Sequence, residues 1–185
     1  MKFETVTVDD AAELLSIYAG YVTDTAISFE YEVPSLAEFT QRIVNIRKKF
    51  PYIKAVDDSG AILGYAYAST FKGRSAYDWS VESTIYLRQD VHGRGIGRAL
   101  YTELENQLRE QGILNMNACI ALAGENDPYL TNASYFFHTS MGFSPVGTFH
   151  KCGFKFNRWY DMIWMEKMLG DHTDKPKNPF SSTSI

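Results

Sequence analysis

Little in this chain of 185 residues could act as a staple or an anchor. It has two cysteines, Cys119 and Cys152, without the short spacings of metal-ligating thiols. So sparse a use of cysteine is expected of a reducing, cytoplasmic setting. No stretch approaches the roughly 18 apolar residues that would cross a bilayer. The opening residues, MKFETVTVDD, lack the apolar core of a secretory signal. Positive charge is short as well. Lys and Arg number 18 against 22 Asp and Glu, and the net charge of −4 comes without the basic stripe that meets nucleic acid. No His, Cys and carboxylate cluster has ligand spacing, so no metal is expected.

What is present is ordinary for a globular protein: 45% hydrophobic and 22% charged residues. The length suggests one domain with a core of its own. The aromatic share of 15% points to an aromatic core or an aromatic-lined pocket. Helical spacing runs through VDDAAELLSIYAGYV, where Asp10 and Glu13 read as a capping box. It runs again from Ser35, with Glu38 three residues on, to the stop at Pro51. Strands are predicted at 52–56, 61–69, 81–87, 117–123 and 158–168, and helices at 98–112 and 133–141. Residues 142–157 read as a short strand and a connection, and FETVTV as a possible first strand. The order predicts an α/β layer fold over 1–168, with a polar, flexible or extended tail at 169–185.

The run HGRGIG at 92–97 sits between a strand and an amphipathic helix. Glycines let backbone amides approach an anion, and a helix N-terminus adds a favourable dipole. A phosphate-loop ATPase is excluded, because Gly97 is followed by Arg98 and not by Lys and Ser or Thr. A dinucleotide fold would place the run after the first strand, whereas here it lies mid-chain. On the glycines alone a coenzyme A pyrophosphate loop, a dinucleotide site and a plain tight turn all remain open.

HGRGIG is similar to the Q/R-x-x-G-x-G motif of the GNAT superfamily of N-acetyltransferases, with His92 where Gln or Arg is usual. AYDWSVESTIYL at 76–87, GRALYTEL, NDP, the H-x-x-x-G-F at 138–143 and GFKFNRWYDMIWM at 153–165 closely resemble phosphinothricin N-acetyltransferases. The resemblance covers the chain to about residue 168. It implies a central mixed, mostly antiparallel sheet flanked by helices, with a splayed strand pair that holds coenzyme A. It also implies acetyl-CoA as cofactor, a small amino-acid-like amine as acceptor, and a homodimer.

Acetyl transfer to an amine needs a base for the amine proton, a polarised carbonyl and a stabilised leaving thiolate. Glu82 is the expected base. Tyr77, Trp79 and Val81 are expected to surround it and raise its pKa by desolvation. The competing reading is a solvated Glu82 paired with Arg74 or Arg88. The resemblance implies a second catalytic residue in His138, assisting deprotonation or protonating the sulfur. His150 and His172 are given no catalytic part.

The implied cofactor contacts are the strand end Ile85, Tyr86 and Leu87, then His92, Gly93, Arg94, Gly95, Ile96, Gly97 and Arg98. Ser134 joins them with Asn132 or Asn126, Asn132 being favoured for its place beside a helix start. Candidate acceptor walls are Phe29, Tyr31, Lys72, Arg74, Tyr77 and Trp79, with Lys72 and Arg74 as cations for a carboxylate or phosphinate. Two other activities compete: acetylation of proteins or peptides, and a catalytically silent coenzyme A-binding module.

Overall fold

Across the residues 1–180 described by the computed structural model, the alternating periods resolve into seven strands and four α-helices. In chain order these are β1 (Lys2–Thr5), α1 (Ala11–Thr23), α2 (Leu36–Arg47), β2 (Tyr52–Val56), β3 (Ile62–Thr70) and β4 (Ser80–Leu87). They continue with α3 (Ile96–Gln111), β5 (Asn115–Leu122), α4 (Ala133–Ser140), β6 (Ser144–Lys155) and β7 (Arg158–Met168).

Local chemistry sets the ends of these elements. Ser35 Oγ accepts the Glu38 amide at 3.2 Å and opens α2, whose Phe39 and Ile43 are buried. Gly112 closes α3 in the left-handed region at φ 95°. The expected box between Asp10 and Glu13 does not form. Asp10 instead accepts the Thr7 amide at 2.7 Å, and Glu13 reaches across to accept the Ile62 amide at 2.9 Å. The region read as a short strand is the 12-residue β6, interrupted by register shifts at Pro145/Gly147 and Phe149/Gly153. Phe156 and Asn157, at φ 50° and 57°, turn β6 into β7.

The sheet runs β1-β2-β3-β4-β5-β7-β6 and is antiparallel except at β4–β5. It has the mixed, mostly antiparallel form expected. One face carries α3, where Val81, Leu100, Leu104 and Met116 are fully buried. The other carries α1 and α2, packed on Tyr52 and Tyr65. Alternation along β4 divides its side chains between the two faces. Ser83 meets Tyr101 of α3, while Tyr86 meets Tyr18 and Tyr21 of α1.

The β4–β5 ladder lasts for three pairs only, from Ser80↔Asn115 to Glu82↔Asn117. Beyond that the two strands part while both continue, and a wedge opens between them.

Residues 169–180 of the tail form neither helix nor strand and are held against the domain. The Leu169 amide donates to Leu114 O at 2.7 Å, and Trp79 Nε1 donates to Lys177 O at 2.7 Å. Pro179 is buried, and the Phe180 ring meets Phe50 edge-on at 5.7 Å. Residues 181–185 of the expected tail lie outside the described residues.

Candidate active site

The wedge between β4 and β5 meets the glycine loop at its open end. Gly93 and Gly95 have φ 75° and 77°, and a Cβ at either would stand in open space. The first helical bond of α3 is Ala99 N–H to Gly95 O at 3.1 Å. The amides of Ile96, Gly97 and Arg98 are thus left without helical partners, at the N-terminus of a 16-residue helix. This open cradle fits an anion such as the pyrophosphate of coenzyme A. Gly97 serves packing, since a Cβ there would stand 3.4 Å from both Leu87 and Phe137. Arg94 is exposed beside the loop. The Arg98 guanidinium turns away to Ser140, whose hydroxyl it meets at 3.1 Å, so only its amide faces the cradle.

Arg88 donates its amide to Leu63 O at 2.9 Å, which fixes the parity of β4. The backbone groups of Tyr86 therefore face β3, and those of Ile85 and Leu87 face the wedge. Leu87 is already engaged: Tyr21 Oη donates to its carbonyl at 2.7 Å and lies 3.3 Å from its amide. The same hydroxyl lies 3.0 Å from His92 Nε2 and so accepts from it. His92 thus ties the loop to α1 and to the strand end. The Tyr86 side chain does not face the wedge, because its ring packs edge-on and tilted among Tyr18, Tyr21 and Tyr65. Asn132 braces the chain, its Oδ1 accepting the Ala123 amide at 2.9 Å, while Asn126 is exposed at φ 53°. Ser134 Oγ lies 3.4 Å from His138 Nδ1.

Glu82 stands at the apex of the wedge, on the face opposite Ser83. It is half-buried, and desolvation pushes its carboxyl up, partly opposed by the charge of Lys72. The pairing with Arg74 or Arg88 does not occur. Arg88 is bound to Asp90 at 2.6 Å, and Glu82 has no ion pair among the described residues. Beside it the Cys119 thiol is pushed up to about 12, by burial first and then by Glu82.

His138 is buried behind the sheet. Its Nδ1 lies 2.7 Å from Ser134 O, so Nδ1 carries the hydrogen and Nε2 accepts from Tyr101 Oη at 2.9 Å. Tyr101 Oη lies 3.1 Å from Ser83 Oγ, whose single hydrogen is shared between Tyr101 Oη and Asn117 O, the latter at 3.0 Å. Burial lowers the imidazole to about 4. His138 is therefore neutral at physiological pH and has both nitrogens occupied.

The expected acceptor walls divide. Lys72 lies over the rings of Phe71 and Trp164, at 4.9 and 5.4 Å, and Tyr77 meets Phe71 edge-on at 6.0 Å. With Asn117 and Glu166 they line a cleft of about 610 Å³ on the Glu82 face. Arg74 is exposed. Trp79 shares the parity of Val81, faces away from Glu82 and donates to the tail. Phe29 and Tyr31 lie against the β6–β7 hairpin. The Phe29 ring occupies the space a Cβ on Gly153 would need, and Tyr31 Oη donates to Phe154 O.

Sequence reasoning missed Tyr21, Phe71, Trp164 and the buried Lys155. Lys155 is 3% exposed and donates to three carbonyls: Val22 at 2.7 Å, Thr25 at 2.9 Å and Ser28 at 2.6 Å. It holds the connection between α1 and α2 against the hairpin. No cluster of His, Cys, Asp and Glu suited to a metal occurs among the described residues, and none of their helices is long and apolar enough to cross a membrane.

Residues 3–164 match the profile of the acetyltransferase (GNAT) domain. A phosphinothricin N-acetyltransferase of Streptomyces viridochromogenes is 30% identical over 97% of this chain and 94% of its own. An L-methionine sulfoximine/L-methionine sulfone acetyltransferase of Pseudomonas paraeruginosa is 30% identical over 91% of this chain and 95% of its own. Among solved structures, a GNAT superfamily phosphinothricin acetyltransferase from Sinorhizobium meliloti, in complex with AcCoA, superposes with a TM-score of 0.87 at 34% identity. It covers 100% of this chain and 97% of that one.

Proposed function

We propose that this chain, which belongs to the GNAT acetyltransferase family, acetylates the amino group of a small amino-acid-like acceptor with Glu82 as general base. That it is an acetyl-CoA-dependent N-acetyltransferase follows from the family and its close relatives. The acceptor class and the base are our reading. The observation that carries it is Glu82 itself: a half-buried carboxylate with a raised pKa and no ion-pair partner among the described residues, at the apex of the wedge.

Bound acetyl-CoA supplies an activated acetyl group and a thiolate leaving group. The chain's residues do the rest. The glycine-loop amides and Ile85 orient the cofactor along the wedge. Glu82 would take a proton from the acceptor ammonium, and the freed lone pair would form the new C–N bond as the C–S bond breaks; the second proton, lost from the acylated nitrogen, would neutralise the departing thiolate. Lys72 offers a cation for the acceptor's carboxylate. His138 acts through Tyr101 as a positioning residue for Ser83 and the apex. Its neutral imidazole has no spare proton for the thiolate.

Residues 1–168 would be the catalytic domain, and the two cysteines agree with a cytoplasmic setting. A homodimer is supported by the edge strand β6 and its neighbours. Phe149 on the edge strand β6 and Trp159 on the adjoining β7, 60% and 61% exposed, form an apolar patch of the kind proteins cover. Light scattering would give a dimer mass for the native chain and a monomer mass for Phe149→Asp. A monomeric native chain would refute the dimer.

Thiol release from acetyl-CoA, measured over a panel of amino acids, sulfoximines, phosphinothricin and peptides, tests the acceptor class. Turnover of peptides alone would favour a protein acetyltransferase. Coenzyme A binding without turnover of any amine would leave the silent module.

A further inference from the structure

The connection between α1 and α2 forms neither helix nor strand, yet its first half is held from several sides. The Lys155 ammonium, at the end of β6, donates its three hydrogens to Val22 O, Thr25 O and Ser28 O, at 2.7, 2.9 and 2.6 Å. Val22 lies in the last turn of α1, where a carbonyl lacks a helical partner and a cation is favoured. Ala26 is fully buried and donates its amide to Tyr129 O at 3.0 Å. Ser28 Oγ lies 2.7 Å from Tyr18 Oη of α1.

This segment rests on both of the strands that part. On one side α1 sits on the end of β4, where the Tyr21 ring meets that of Tyr86 at 4.9 Å and its hydroxyl bonds to Leu87 O. On the other, Ala26 packs in one cluster with Ala121 of β5 and Tyr160 of β7. By alternation Tyr86 shares the face of Glu82, and Ala121 shares the face of Asn117, the ladder partner of Glu82. Each stands four residues beyond the last ladder pair, about 13 Å at the usual rise of a strand. Residues 22–26 therefore cross the wedge on the Glu82 face, between the apex and the glycine loop, with α3 on the opposite face. Strand β6 neighbours neither β4 nor β5, so its Lys155 reaches the wedge only through this crossing.

We propose that Lys155 is a positioning residue for the cofactor: its ammonium holds residues 22–28 as a strap that roofs the pantetheine arm of acetyl-CoA in the wedge. This deepens the reading of the wedge as the cofactor's channel and rests on it, but not on Glu82 or on the acceptor. A many-jointed arm loses conformational freedom on binding, and a roof already in place lowers what that ordering costs. Three carbonyls converging on one ammonium fix the height of the strap over two strands that no longer pair.

Calorimetry with two ligands tests this. Acetyl-CoA carries the arm, whereas adenosine 3′-phosphate 5′-diphosphate keeps the diphosphate and lacks the arm. Lys155→Met should weaken acetyl-CoA binding by about 10-fold or more and leave adenosine 3′-phosphate 5′-diphosphate within about 2-fold. Gly95→Ala, in the cradle, should weaken both. A Lys155→Met chain that binds both ligands as the native chain does, or loses both alike, overturns the proposal. Should that variant fail to fold, amide exchange on the native chain decides. Acetyl-CoA should slow exchange at Ala26 by about 10-fold or more beyond the ligand without the arm, because an arm beneath the strap holds it shut. Equal slowing by the two ligands overturns the proposal. The two readings fail separately. If the native chain gains no affinity from the arm, the wedge is not its channel. If it gains affinity and Lys155→Met keeps that gain, the channel stands and the strap falls.

Discussion

Glu82 and Asn117 are the last residues at which β4 and β5 face each other in the parallel ladder. One residue later the strands have parted, so the carboxylate sits where a thioester lying in the wedge would end. Glu82→Gln keeps the shape and removes the proposed base. Its kcat should fall by roughly 10²–10⁴, the usual worth of a positioned proton acceptor, with the KM for acetyl-CoA unchanged. Turnover equal to the native chain would exclude Glu82 as base.

A base at Glu82 would work deprotonated, so activity should fall as pH drops through the Glu82 pKa. Desolvation places that acid limb above the ordinary 4.5, and Lys72 pulls it back down. Lys72→Met removes the pull, and the limb of the kcat/KM profile should move to higher pH. A limb that stays put would mean that the two charges do not sense each other.

His138 predicts an acid sensitivity of the fold. Its pKa is lowered from 6.5 to about 4 by burial, so the unfolded chain binds a proton that the folded chain refuses. The stability from the neutral imidazole is complete above about pH 6.5 and declines as pH falls toward 4, by on the order of 3 kcal/mol. Urea unfolding from pH 7.5 to 4.5 should show this decline, and His138→Asn should flatten it.

Gly95→Ala puts a side chain at φ 77° and into the anion cradle. The left-handed strain alone costs roughly 1–2 kcal/mol. Acetyl-CoA binding should weaken by about 10-fold or more in calorimetry, while the KM for the amine changes little. Unchanged cofactor affinity would place the pyrophosphate elsewhere.

Lys155→Met leaves three carbonyls without their donor, those of Val22 and Ser28 in buried bonds and that of Thr25 in a part-buried one. Unpaired groups of this kind should lower the unfolding free energy by on the order of 2 kcal/mol or more. Chemical denaturation reads it directly, and an unchanged midpoint would show that water replaces the ammonium.

Much of this was legible because its chemistry is local. The glycine run, the caps at Ser35 and Gly112, and the alternation that sets Glu82 apart from Ser83 are all written in a few consecutive residues. Trp79 was misplaced although the same alternation puts it with Val81: its nearness in sequence outweighed its parity. Strand β6 was read too short because Pro145, Gly147 and Gly153 look like breakers, whereas the structure absorbs them at register shifts. Tyr21, Trp164 and Lys155 could not be found by any local rule. Each arrives from a distant element, and Lys155 acts on carbonyls more than 120 residues away, across the hairpin. The role of His92 likewise needed α1 beside the loop.

The docked tail bears on where the chain can be cut. A shortened version ending at Met168 would match the domain read from sequence. It would also strip the acceptor carbonyl from the Trp79 indole and uncover the apolar ground beneath Pro179 and Phe180. Trp79 closes the segment that carries Lys72 and leads directly into β4. A proteolytic nick or a fusion partner placed near residue 177 would thus be felt at the mouth of the cleft beside Lys72, on the opposite face of the sheet.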